Sequence, residues 1–450
     1  MSERTLNLAQ VTSLLVSTSC GIGFLLRTGE LALRGGMAGC LYAIASALGL
    51  LVLAAWAPAL SIGRQSIWVR FDQLYGASVS RSVALLSLVW MTGVLAAQMR
   101  GGSAILTLAG FRPTTALLLI AGLLICLSLM RLSWLAAGFA ICMLACNVAL
   151  VRTLLETDGF SVWLHAPMQF LDGLRTMTLA HTGFTVVSVV VMVICGADYQ
   201  QFVVAARAPT TARAGCLFAA ALVFLIGFLP ASAVIAAAPV WHLEHVVDPV
   251  QVVPIVLMHT LSSYAVSAAS GLVVAVLGLT ALGAGCSILR AMAEAMATLG
   301  PPSMTGPIWS RVLPVVLGSL VATREQSLVD MMIDLNMVYI SAVGPLLIFG
   351  LVRTSVSHAI ANATMVTGFC IAMTCYLMRW TGATEIPEAA PLLFALPTSL
   401  AIGVLMVRRS NNFTSATRAG HRLPHWPKGS PNGQSATSPS SPLPDDAGAG

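Results

Sequence analysis

Apolar runs of about 20 residues recur along most of the chain, and that recurrence decides what it can fold into. A lipid core is crossed by a helix of about that length. Inside it, a single segment satisfies its own backbone amides and carbonyls only as a helix. Of the 450 residues, 57% are hydrophobic and 9% charged. A soluble domain carries roughly a quarter of its residues charged. The expected fold class is therefore all-α and polytopic. About twelve spans are read at 10–34, 38–63, 82–109, 114–130, 133–154, 178–205, 211–238, 265–298, 308–323, 327–352, 355–379 and 389–407. The polar stretch Met1–Gln10 and the long first run argue against a cleaved leader.

Basic residues sit singly at the ends of these runs, which suits topology better than nucleic-acid binding, despite a net charge of +6. With the N-terminus inside, the inner segments hold Arg4, Arg64, Arg70, Arg81, Arg131, Arg207, Arg213, Arg311 and Arg353. The outer loops hold Arg34, Arg112, Arg152, Arg175, Arg324 and Arg379. With the basic tail counted, the excess places both termini in the cytoplasm and the chain in a cytoplasmic (inner) membrane. The 239–264 loop, with Glu244, Asp248 and no Lys or Arg, agrees. Residues 410–450 are rich in Ser, Pro, Gly and Asn and are expected to be a disordered tail, its Arg408, Arg409, Arg418, Arg422 and Lys428 solvated or near lipid head groups. None of the cysteines has CxxC spacing, so neither a disulfide framework nor a metal site is expected. No P-loop, HExxH or GxSxG stands in the sequence, so neither an ATP-driven pump nor an intramembrane enzyme is indicated.

Two spans are interrupted. In the first, Gly21 and Gly23 bracket Ile22 in mid-membrane; in the sixth, Gly196 and Ala197 precede Asp198. Glycine costs a helix about 1 kcal/mol relative to alanine and lets the backbone leave helical geometry. Such a pair at positions one and six is the mark of two halves related by inversion, with cargo and ion satisfying the freed backbone. Glycines that merely let helices pack closely are the other reading.

These stretches also resemble a known family. SCGIGFLLRTGELALRGGMAGCLYA resembles the first core helix and following turn of the sodium:solute symporters. GADYQQFVVAARAPTTARAG resembles their sixth-core-helix exit, LTALGAGCSILRAMAEAMATL their eighth helix, and SLVDMMIDLNMVYISAVGPLLIFGLV their tenth. The resemblance implies the LeuT-type five-plus-five inverted repeat, followed here by two more spans; the additional helix that many members carry before the first core helix is expected to be absent. It implies a cytoplasmic N-terminus at 1–9, a first repeat at 10–154, an external loop at 155–177, a second repeat at 178–352, two added helices at 353–409 and the tail. Members of that family take up proline, sugars, pantothenate and carboxylates. Their sodium site, carried over, falls on Ser17 and Cys20 carbonyls and on Gly283 and Ala284, which have no side-chain oxygen; Thr280 and Ser287 lie one turn away. The family's basic residue at the sixth-helix exit is Gln201 here.

Charged and polar groups complete the candidate site. An ionised group at the bilayer centre costs roughly 2.5–3.5 kcal/mol or more unless paired or wet. Arg27 either binds cargo or pairs with Glu30. Gln98 and Arg100 lie on the cavity-lining third span. Arg290 and Glu294 share a helix face at pairing distance. Asp198 and Glu294 are the proton-coupling candidates. Asp330, Asp334 and Asn336 open the tenth span as a vestibule or a solvated end, and Trp90, Tyr199 and Tyr339 stack on a ligand or anchor the core. The substrate set is thus Gly21, Ile22, Gly23, Arg27, Gln98, Arg100, Gly196 and Asp198, and the ion set Ser17, Cys20, Thr280, Gly283, Ala284 and Ser287.

The expected function is cation-coupled transport (Na+ or H+) of a small polar or zwitterionic solute by a monomer or homodimer in the lipid bilayer. A proton-coupled amino-acid or nucleobase permease of the same fold, and a transport-dead membrane sensor or scaffold, are the alternatives.

Overall fold

The first helix starts where the sequence supplies a cap. Asn7 Oδ1 accepts from the Gln10 amide and Gln10 Oε1 from the Asn7 amide, at 2.9 and 3.0 Å, a reciprocal capping box. From there the computed structural model describes residues 6–63, 67–130, 132–246, 249–262, 266–299, 308–323, 328–351, 356–381 and 390–420. Arg4, Arg64, Arg131, Asp248, Arg324, Arg353, Arg422 and Lys428 lie outside the described residues, as do the side chains of Glu244, Asp330, Asp334 and Arg418.

The first span is two helices, α1 (Leu8–Ser19) and α2 (Ile22–Gly35). A 3-10 turn leads into α3 (Leu41–Gly63), then come α4 (Ile67–Tyr75), α5 (Ala77–Leu108), α6 (Pro113–Ser128) and α7 (Leu132–Glu156). Two short helices, α8 (Phe160–Leu164) and α9 (Ala166–Leu174), lead to a second broken pair, α10 (Leu179–Cys195) and α11 (Ala197–Ala205). The chain continues through α12 (Pro209–Gly227), α13 (Leu229–Trp241), α14 (Val252–Ser262), α15 (Val266–Leu299), α16 (Trp309–Ala322), α17 (Leu328–Leu351) and α18 (His358–Trp380). A π-helical turn then opens α19 (Leu396–Gly420).

Several expectations are corrected. The 155–177 and 239–264 loops carry α8, α9 and α14, whose apolar runs are too short to read as spans. The run at 211–238 divides at Phe228 into α12 and α13, where Pro230 removes a helical amide. Helix α4, between the second and third spans, was not anticipated. The tail does not lose helical form at residue 410, since α19 runs on to Gly420.

Up to Met406 the chain is one unit, and Val407–Gly450 is another. Among the described residues, seven helices are long and apolar enough to cross a membrane, and the bent α10–α11 pair makes an eighth. Helices α6 and α16 and the Leu335–Gly350 part of α17 are shorter apolar helices. Leu118 (α6), Ile141 and Leu144 (α7), Leu225 (α12) and Leu320 (α16) are exposed. An outward face of leucine and isoleucine on helix after helix is a lipid-facing surface, the reverse of a soluble protein's. Inside, α3 packs on α10 and α12, α15 lies along α5, and α1 packs on α12 and α7. This arrangement brings both broken pairs to the centre.

Candidate functional site

Both glycine-marked positions are real breaks. At the first, helical geometry stops at Ser19 and resumes at Ile22, with Gly21 extended at φ −60°, ψ 173°. The last carbonyls of α1 and the first amides of α2 therefore have no partner within their own helices. Gly21 is needed for a second reason. A Cβ there would lie 2.9 Å from Ala284 Cβ and 3.3 Å from Gln98 Oε1. At the second, Gly196 is extended and the chain bends by 44° between α10 and α11. A Cβ on Gly196 would meet Asp198 Oδ1 at 2.5 Å and the Met192 carbonyl at 2.8 Å.

The second break differs from expectation in one respect. Its freed carbonyls are taken up by protein side chains: Gln200 Nε2 donates to the Ile194 carbonyl at 2.7 Å and Tyr339 Oη to the Cys195 carbonyl at 3.5 Å. Gln201 Nε2 does the same across helices, donating to the Asp198 carbonyl at 3.0 Å and the Ser287 carbonyl at 3.1 Å. An amide thus ties α11 to α15 where the family resemblance implies a basic group.

A cavity of about 140 Å³ lies between the breaks. Gly21, Gly23, Arg27, Gln98 and Asp198 line it, whereas Ile22, Arg100 and Gly196 do not. Ile22 turns into the core against Gly101, and Gly196 supports the wall from behind Asp198. Two of the lining groups are nearly sealed from solvent, Gln98 at 7% exposure and Asp198 at 2%. Gln98 Oε1 and Asp198 Oδ1 have no hydrogen-bond partner. A buried acceptor left unpaired costs about 1–3 kcal/mol, more when charged. Arg27 has its partner in Glu30, 3.0 Å away, and Glu30 also faces Arg34 at 3.7 Å.

Aromatic residues complete the wall, and the sequence marked only some of them. Trp90 lies stacked on Tyr339, with centroids 5.6 Å apart, and its own indole lines the cavity. Tyr42 stacks on Phe24 at 6.3 Å, and Tyr199 Oη accepts from Ser19 Oγ at 3.5 Å. Tyr42, Phe24 and His181 escaped the sequence reading because no local pattern distinguishes a cavity-lining ring from a packed one. The exposed His181 lines the cavity at its rim, and its backbone amide donates to the capping Thr178 Oγ1.

On the α15 side the inferred ion locus offers few side-chain oxygens. Gly283 faces Phe139 of α7, whose ring carbon lies 2.7 Å from where a Cβ would stand. Ala284 presses its methyl on Gly21. Thr280 Oγ1 donates to the Val276 carbonyl at 2.8 Å and contacts Cys146 Sγ, so it faces α7. Ser287 Oγ donates to the Ala284 carbonyl at 2.8 Å and lies 3.5 Å from Thr18 Oγ1. Ser17 Oγ is buried without a partner, and the Cys20 side chain is fully buried beside it. A sodium ion needs several hard oxygens. A phenyl ring and two residues without side-chain oxygen do not fit that need. Arg290 and Glu294 do not pair either: Arg290 Nη2 donates to the Met130 carbonyl at 2.7 Å, while Glu294 is exposed and away from the cavity.

Two helices broken at mid-length, each opening a half of the molecule and facing the other across a central cavity, define the LeuT-type inverted-repeat fold. Solved structures of that fold match nearly the whole chain. One is a Na+-coupled sialic acid symporter in a substrate-bound, outward-open state, with a TM-score of 0.70 and 11% identity over 90% of each chain. Another is a nucleobase-cation-symport-1 family transporter in a closed conformation with bromovinylhydantoin bound, with a TM-score of 0.58 and 14% identity over 92% of this chain and 94% of that one. At such identity the likeness is one of fold. No family model and no curated relative matches the sequence.

Proposed function

We propose that the chain is a secondary active transporter, a solute:cation symporter that moves a small polar solute by alternating access. One observation carries this reading: two opposed helix breaks meet at one cavity, where the buried Gln98 Oε1 and Asp198 Oδ1 lack partners. Broken helices at the midplane of an inverted repeat are the setting in which transporters bind cargo. The cargo sits between Gly21 and Asp198, against Gln98, and no chemical step is required of any residue. The protein works in a cytoplasmic membrane with both termini inside, as a monomer or homodimer.

The coupling cation is Na+ or H+. The apolar surroundings of Gly283 and Ala284 favour a second reading in which protons drive a permease of the same fold. Purified protein in liposomes, loaded to impose a sodium gradient or a pH gradient in turn, separates the two. Uptake of labelled solutes that follows sodium selects the symporter, and uptake that follows pH selects the permease. A broad panel with no accumulation under either gradient would sink both.

A further inference from the structure

The cavity asks for a particular chemistry of cargo. Among its buried atoms without a hydrogen-bond partner are a donor, the indole Nε1 of Trp90, and two acceptors, Gln98 Oε1 and Asp198 Oδ1. The acceptors come from different walls. Gln98 on α5 lies over the first break, its amide within 3.4 Å of where a Cβ of Gly21 or Gly23 would stand. Asp198 is in the first turn of α11, on the far side of the second break. An acceptor pair is satisfied by a donor, and a carboxylate sealed from water by a cation. Rings of Phe24, Tyr42, Trp90 and Tyr199 line the space around them, and aromatic faces attract cations too. Among the described cavity-lining residues the arginine is Arg27, already matched by Glu30 at 3.0 Å. An anionic cargo would have to displace Glu30 and tolerate Asp198.

We propose that the cargo is a small organic ammonium compound, its cationic nitrogen held between Asp198 and Gln98. This rests on the transporter reading of the cavity and narrows it. Three probes of one shape and different charge decide it: benzylammonium, benzyl alcohol and benzoate, titrated calorimetrically into purified full-length protein in potassium buffer. Wild type should prefer benzylammonium to both others. D198N should weaken benzylammonium by about 10- to 100-fold, the scale of a lost charge-assisted hydrogen bond. Q98L should weaken it by about 2- to 10-fold, that of a neutral one. Benzyl alcohol, which offers a neutral donor and no charge, should lose less than benzylammonium in D198N.

Benzoate or benzyl alcohol binding wild type as tightly as benzylammonium overturns the proposal without recourse to any variant. Unchanged benzylammonium binding by D198N overturns it as well. Asp198-dependent ammonium binding without accumulation of any solute in liposomes would remove the transport reading and leave the ammonium site standing. Accumulation of neutral or anionic solutes without that binding would do the reverse.

Discussion

At the residue scale the site depends on two glycines that leave no room for a methyl. A Cβ on Gly196 would press on the Asp198 carboxyl and on the Met192 carbonyl, and backbone cannot yield as a flexible side chain does. G196A is expected to lower stability by about 1–3 kcal/mol, the usual cost of overpacking. It should also displace Asp198 and so cut ligand affinity. Thermal melting in detergent measures the first effect; an unchanged melting temperature would refute the close approach. Gly21 offers a cleaner test, because its nearest obstacle is the methyl of Ala284 at 2.9 Å. G21A should destabilise, and the double variant G21A/A284G should recover most of the loss. Both glycines were legible in the sequence, as was the polarity of Gln98 and Asp198 within apolar runs. What was not legible was which neighbours they meet. Ile22 sits between two glycines that line the cavity yet packs inward, and Arg100 stands two residues from Gln98 yet does not reach the cavity.

At the scale of elements, hydropathy located the spans because lipid imposes a length on them. It could not locate α4, α8, α9 or α14, which are short enough to escape that rule. It also could not report how α7 meets α15. Position 283 was read from the resemblance as a place for a hydroxyl, but Phe139 of α7 occupies the space such a hydroxyl would enter. The ring of one helix fills the space beside the glycine of the other, a tertiary fact with no local signature. This gives a quantitative expectation. G283S alone should destabilise by about 1–3 kcal/mol, because the ring is fixed in a packed core. F139A alone should cost about 3–5 kcal/mol through the cavity it leaves. Combined, G283S/F139A should be less destabilised than the sum, with a coupling of roughly 0.5–3 kcal/mol. Additive losses in a double-mutant melting series would show that the ring and position 283 do not touch.

At the scale of the whole molecule, the transporter proposed above would work by moving its broken helices against the rest, and a contact near the N-terminus bears on that motion. Leu6, just ahead of α1, forms a parallel bridge with Ala206, just beyond α11. The Leu6 amide donates to the Ala205 carbonyl at 3.2 Å and the Arg207 amide to the Leu6 carbonyl at 3.0 Å. Leu6 itself is 0% exposed. The N-terminal end of α1 and the C-terminal end of α11 are thereby joined, so a swing of α1 about Cys20–Gly21 either carries α11 with it or breaks the bridge. Cys20 at that hinge is buried, which makes it a native reporter. In a chain whose other cysteines are serine, Cys20 should react slowly with N-ethylmaleimide in the wild-type backbone. L6P removes the donor to Ala205 while leaving the carbonyl, a loss of about 0.5–1.5 kcal/mol that should raise the labelling rate by about 2- to 10-fold. The melting temperature should fall too, because proline vacates the buried Leu6 position; L6A, which loses the same side chain but keeps the amide, should melt lower without the same rise in labelling. Labelling at the wild-type rate in L6P would mean that the bridge does not hold α1, and that the hinge opens, if at all, without regard to it.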